Sequence, residues 1–283
     1  MIEQDIVEVK EGLLEVEEGL LEVEDGLLDV EEIEDTRHAY PRLWEVDTLR
    51  GLAIVAMVAY HVVFDLAFFD VYTGDIHSPG WKLIARSIAS TFMLVMGISL
   101  TLKYRRLEAR LDARQIARTY LRRGATLFAW GLVINVVTYF TLDDRFVLFG
   151  ILHLLGLSTI LAFPFLRSRR ASLIGGVAAI ATGVGLGDVR VLFPWLHWLG
   201  VRQLGRSSVD FFPVFPWFGV VLLGIWVGLT FYPRGSRLWA MPDLSHTLPV
   251  RLLTYLGQHS LTIYLIHQPV LLGLMIVLGI GSL

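Results

Sequence analysis

The sequence predicts an all-α membrane protein, a polytopic bundle of about seven spanning helices behind an acidic N-terminal leader. Three observations carry this. Of 283 residues, 54% are hydrophobic, with a mean hydropathy of +0.60, far more apolar than an ordinary soluble domain. Apolar runs recur at roughly the 17–25 residues that cross a bilayer. Charge divides sharply: residues 1–36 hold 15 of the 27 Asp and Glu with Lys10 alone as a base, which leaves 12 acids against 23 Lys and Arg in 37–283. The absence of cysteine excludes disulfides, thiolate metal sites, iron–sulfur clusters and a cysteine nucleophile. No cleavable signal peptide is expected, because the N-terminus is acidic and lacks an early apolar core.

Residues 1–41 form the leader, with EGLLEVE at 11–17 and 18–24 and DGLLDVE at 25–31. The seven-residue period suggests a coiled coil, but each repeat carries a helix-weakening glycine, so a disordered acidic segment is expected. Residues 42–283 form the membrane domain. Its spans fall at roughly 51–69, 82–102, 124–141, 147–166, 171–187, 212–231 and 260–281. The aromatic segment 191–200, broken by Pro194, is expected to lie at an interface. The connection 103–123 is strongly basic, whereas 70–80 has no Lys or Arg. The positive-inside rule then predicts a plasma-membrane protein with its N-terminus in the cytoplasm and its C-terminus outside. Arg190, Arg202 and Arg206 fall on the outer side against that trend.

The first span carries a polar stripe. At 100° per residue, His61 lies about 20° from Arg50 after three turns, Asp65 about 40° further round, and Asp47 at the angle of Asp65. His61 stands about 16 Å along the helix from Arg50, near mid-membrane depth. Such residues are costly against lipid, so the stripe is expected to face the bundle interior or a wet cavity. The structural alternative is interhelical hydrogen bonding, and the competing function is a proton or ion path. On the second span, Arg86, Ser87, Ser90 and Thr91 cluster, and Arg86 is expected to pair with Asp65, Asp70 or Asp75 or to contact substrate. Asn135 and Thr138 read as interhelical hydrogen-bonding groups, and His153 as either that or a cavity-lining residue. The last span repeats the stripe with Ser260, Tyr264 and His267, and Pro269 is expected to kink it near His267. Tyr264 and His267 are therefore candidate substrate contacts. No metal site is expected, since His61 and Asp65 supply only two ligands, and a nucleic-acid surface does not suit so apolar a chain.

DTLRGLAIVAMVAYHVVFDL followed by IHSPGWKLIARSIASTFMLVMGISL resembles the catalytic-domain family of heparan-α-glucosaminide N-acetyltransferase. FGILHLLGLS (149–158) and LGQHSLTIYLIHQPVL (256–271) extend the resemblance more loosely. The spacing of Arg50 and His61 also resembles the Arg/His signature of type 3 membrane acyltransferases. The resemblance implies acetyl transfer from cytoplasmic acetyl-CoA to an acceptor on the other face, often an amino sugar or glycan. It implies two candidate catalytic histidines. The family's lysosomal enzyme has its histidine in the loop before the second span, where His77 stands here, and the type 3 enzymes have theirs at the position of His61.

Histidine suits the chemistry because its unperturbed pKa lies near neutrality and it can take the acceptor's proton. Asp65, one turn from His61, is expected to orient it, and Asp75 stands two residues before His77. A covalent acetyl-histidine is an alternative to direct transfer. Coenzyme A phosphates need cations, and Arg50 with its neighbour Asp47 leads, followed by Arg105, Arg106, Arg122 and Arg123. A transporter or ion-conducting protein using the His61/Asp65 stripe is the competing function, and oligomeric state, a homodimer included, is open.

Overall fold

The computed structural model describes residues 43–142, 146–187, 189–191, 195–203 and 210–280. The acidic leader lies outside the described residues, as do Pro194 and Arg206. Within them the chain forms eight α-helices and one two-residue parallel strand pair, so the all-α class holds.

α1 (Trp44–Phe68) contains the whole polar stripe, and Glu45 and Asp47 in its first turn complement the helix dipole. α2 (Pro79–Glu108) starts on a proline whose missing N–H costs nothing there, and ends with Arg105 and Arg106 in its last turn. α3 (Ala113–Leu142) follows after only four residues. The basic segment 103–123 is thus not a loop. Asp112 and Gln115 form a reciprocal pair in which each side-chain oxygen accepts the other's backbone N–H, at 2.8 and 2.9 Å, and this starts α3 immediately.

α4 (Ile151–Leu161) has 11 residues, because the preceding segment bridges Phe149 to Phe211 and a short 3₁₀ turn over Phe163–Phe165 follows. α5 (Arg169–Leu186) is capped by Ser168, whose side chain accepts the Ala171 N–H. α6 (Val214–Phe231), α7 (Leu248–Gln258) and α8 (Ser260–Val277) complete the fold. Five helices (α1, α2, α3 over Ala113–Thr141, α6 and α8) are long and apolar enough to cross a membrane. The two remaining expected spans correspond to the short α4 and to α5, which opens on Arg169 and Arg170. Among the described residues of the 191–200 segment, His197–Leu199 form a 3₁₀ turn, and Trp195 and Trp198 are exposed.

The first six helices alternate in direction. Arg50 on α1 meets Ser99 near the end of α2, while Tyr60 meets Trp81 near its start. α3 and α4 run antiparallel, with Gly124 against Gly156 and Gly131 against His153. α6 runs parallel to α2, with Gly97 and Gly224 bringing the two backbones together. Between them lies the core of Met93, Tyr104, Leu154, Val221, Leu222 and Ile225. α7 lies antiparallel to the start of α1: Gly257 sits beside Asp47 and Gly51 beside Leu253. The chain then breaks at His259, and α8 carries His267 and Gln268 to His61 and Asp65. α8 continues as one helix with Pro269 inside it, and a separate break falls at His259.

Candidate functional site

The arginines expected to meet coenzyme A lie at one end of the bundle. Arg50, the α2 terminus with Arg105 and Arg106, and the α3 start with Arg122 and Arg123 share it, since Tyr120 donates to the Leu100 carbonyl at 2.6 Å. Arg167 joins them through its Nε–H, which donates to the buried Tyr104 hydroxyl, while its guanidinium lies 5.7 Å over the Tyr104 ring. Arg105 pairs with Glu108 at 2.8 Å, and Arg237 lies 3.8 Å from the buried Glu45. Arg122 is exposed on α3.

Arg50 is the junction of three helices at this end. Its guanidinium donates to Asp47 Oδ1 at 3.0 Å, to Ser99 Oγ at 2.6 Å and to the Gly257 carbonyl at 3.3 Å. Gln258 Nε2 donates to the second Asp47 oxygen at 3.3 Å. Asp47 and Arg50 are thus a pair that ties α1 to α2 and α7.

About 16 Å along α1, the stripe meets α8. The His61 and His267 rings lie edge to face with centroids 4.8 Å apart. His61 Nδ1 lies 2.9 Å from the Met57 carbonyl oxygen, and His267 Nδ1 lies 2.6 Å from that of Tyr264. A carbonyl only accepts, so each Nδ1 carries a hydrogen, and in the neutral form of either ring Nε2 is the acceptor. Asp65 is 2% exposed and accepts from Gln268 Nε2 at 2.7 Å through Oδ1. No Asp65–His61 hydrogen bond forms among the described residues; the Met57 carbonyl orients His61, and Asp65 instead fixes Gln268. Asp65 Oδ2, His267 Nε2 and Gln268 Oε1 are buried without a hydrogen-bond partner among the described residues.

The remaining candidates divide. His77 lies in the exposed turn before α2, where its backbone N–H donates to Asp75 Oδ1 at 2.8 Å. That turn stands at the end of the bundle opposite the cations, and Trp81 beyond it touches Tyr60, the neighbour of His61. Arg86 is exposed, whereas Asp65 is buried, and no pair of Arg86 with Asp65, Asp70 or Asp75 forms among the described residues. Tyr264 packs 5.5 Å from His267 and joins the core. His153 lies between Phe128 and Phe149 in the α3–α4 contact, where its Nδ1 accepts the Gly150 N–H at 3.3 Å. Asn135 and Thr138 bind the 147–148 backbone, as interhelical groups should.

Three site features escape a reading of the sequence. Gln268 and Ser99 are ordinary polar residues whose partners lie 203 and 49 positions away. Asp210 accepts the Ile151 N–H at 3.0 Å and so caps α4 from a distant loop. Burial raises its carboxyl to about 6, against the opposing pull of that N–H.

The model of the family described as heparan-alpha-glucosaminide N-acetyltransferase, catalytic, matches residues 42–269. The chain belongs to this family. No curated protein and no solved structure matches it. The match covers every site residue named here and begins where the acidic leader ends. The bundle of this family member holds five helices long and apolar enough to cross a membrane, a cluster of arginines at one end, and a pair of imidazoles on α1 and α8.

Proposed function

We propose that this protein transfers an acetyl group from acetyl-CoA to an amino sugar or glycan across the plasma membrane, with residues 42–283 as the transferase domain and 1–41 as an appended acidic leader. The observation that carries this is His61, held by the Met57 carbonyl so that Nε2 keeps its lone pair, beside a second such ring and a buried carboxylate. The acceptor's nitrogen attacks the thioester carbonyl carbon, the carbon–sulfur bond breaks, and the nitrogen's proton passes to His61 Nε2. Asp65 stabilises the imidazolium electrostatically. CoA leaves as the thiolate and takes up a proton.

Acetyl-CoA docks at the cationic end, its phosphates met by Arg105, Arg106, Arg122 and Arg123. Arg50, paired with Asp47, borders the path from there to His61. The positive-inside rule makes that end cytoplasmic, with the N-terminus on the same side and the C-terminus outside. The acceptor arrives from the opposite end, past His77, and Arg86, Tyr264 and His267 line its approach. His153, enclosed by two phenylalanines, has a packing role.

The test is transfer of labelled acetyl into glucosamine by the protein in sealed proteoliposomes. Label should reach glucosamine on one side when acetyl-CoA is supplied on the other. Transfer only when both are on the same side would overturn the crossing, and no transfer to any amino sugar would overturn the donor and acceptor assignment.

A further inference from the structure

Beside His61, three buried acceptor atoms have no donor among the described residues. Asp65 Oδ2, Gln268 Oε1 and His267 Nε2 are buried and unpartnered among the described residues, and His61 Nε2 is the fourth acceptor of the group. The Gln268 orientation follows from its bond to Asp65: a carboxylate requires the amide N–H, so the amide oxygen is left over. Asp65 and His267 are 2% and 9% exposed, whereas His61 and Gln268 are half-buried. Buried acceptors without donors are unfavourable, and one of these carries a negative charge. A ligand matching the group must bring several N–H donors and a positive charge, which an alkylammonium does and a hydroxyl does not.

We propose that Asp65, Gln268 and His267 form the subsite for the acceptor's ammonium group, with His61 at its mouth. This rests on the acetyl-transfer reading. Asp65 Oδ2 and Gln268 Oε1 accept two of the ammonium hydrogens and fix the nitrogen, and the third points to the imidazoles. Acetylating an ammonium removes two protons from nitrogen, and the site has two imidazoles to receive them. His267 Nε2 takes the first, which frees the nitrogen lone pair. The nitrogen then attacks the thioester carbon, the carbon–sulfur electrons go to sulfur, and His61 Nε2 takes the second proton. One proton ends on the CoA sulfur and the other is released to solvent. His267 is thus a catalytic residue and Gln268 a positioning residue. The other titratable groups around the pair are Tyr60 from α1 and Tyr264 from α8.

The test compares wild type, Asp65→Asn and Gln268→Leu in detergent, with glucosamine and glucose as probes. Calorimetry gives binding, and labelled transfer gives KM and kcat. Wild type should bind glucosamine at least about tenfold more tightly than glucose, a preference that both variants lose. The glucosamine KM should rise in Gln268→Leu with little change in the KM for acetyl-CoA. His267→Gln should lower kcat more than it raises KM and shift the acid limb of the pH–rate profile. Equal binding of the two sugars by wild type, or an unchanged glucosamine KM in both variants, overturns the subsite. So does stabilisation of wild type by sodium or potassium ions but not by glucosamine, since the acceptors would then hold a metal cation. Selective, Asp65-dependent glucosamine binding without transfer would leave the subsite standing and overturn only the transferase reading.

Discussion

Gly257 sets the distance between α7 and α1, and replacing it with alanine tests how the site is assembled. A methyl there would stand 1.9 Å from the backbone oxygen of Asp47, whereas real contacts of this kind do not fall below 3.0 Å. The helices must therefore part by at least about 1.1 Å, the difference of the two. The bonds from Arg50 to the Gly257 carbonyl and from Gln258 to Asp47, both 3.3 Å, would then stretch beyond 4 Å and cease to be hydrogen bonds. Overpacking costs about 1–3 kcal/mol, and each lost bond to a charged group about 1.5 kcal/mol at the lower end. The sum is about 4–6 kcal/mol. The assay is the thermal midpoint followed by tryptophan fluorescence in detergent, with Gly273→Ala as the control. Gly273 lies in α8 with nothing near its missing methyl, so alanine there should gain about 0.5–1 kcal/mol. Gly257→Ala as stable as Gly273→Ala would refute the close approach and the path from α7 to His267.

Further expectations can be checked in the same preparation. Asp210 has a folded pKa raised to about 6 from 3.8, so its contribution is fully present below about pH 4 and is lost as pH rises through 6. Asp210→Asn should flatten that dependence and be the more stable protein at pH 8 by about 3 kcal/mol at most, read from thermal midpoints across pH 4–8. Tyr104→Phe should cost about 1.5–3 kcal/mol from the lost hydrogen bond to the charged Arg167, and Tyr104→Leu should cost more in the same melts, because the ring contact with Arg167 goes as well. Arg122→Gln combined with Arg123→Gln should raise the acetyl-CoA KM several-fold without changing that for glucosamine, and the effect should shrink in high salt.

The polar stripe is legible in the sequence because helical periodicity alone puts Arg50, His61 and Asp65 on one face. What they touch is not. The partner of Asp65 comes from α8, and nothing local distinguishes Gln268 from any other glutamine. The i+4 spacing of His61 and Asp65 suggests a pair, but backbone carbonyls within a turn of each histidine compete for its Nδ1 and win. The strong basic charge of 103–123 suggests a connection, yet the Asp112–Gln115 capping pair makes nearly all of it helix. Hydropathy counts 147–166 as one span, although its first residues are spent on a bridge to Phe211 and its last on a 3₁₀ turn around Pro164. Pairing of Arg86 with Asp65, Asp70 or Asp75 is expected from its place in an apolar helix, and its exposure is a tertiary outcome that periodicity does not encode.

Single-turnover transfer of labelled acetyl to glucosamine by His61→Gln and His77→Gln, beside wild type, tests the central claim most directly. Loss of about 10²-fold or more in His61→Gln, with His77→Gln within a few-fold of wild type, is the result expected if the α1–α8 imidazole pair does the chemistry. The reverse pattern would move the catalytic centre to the exposed turn before α2 and contradict the account.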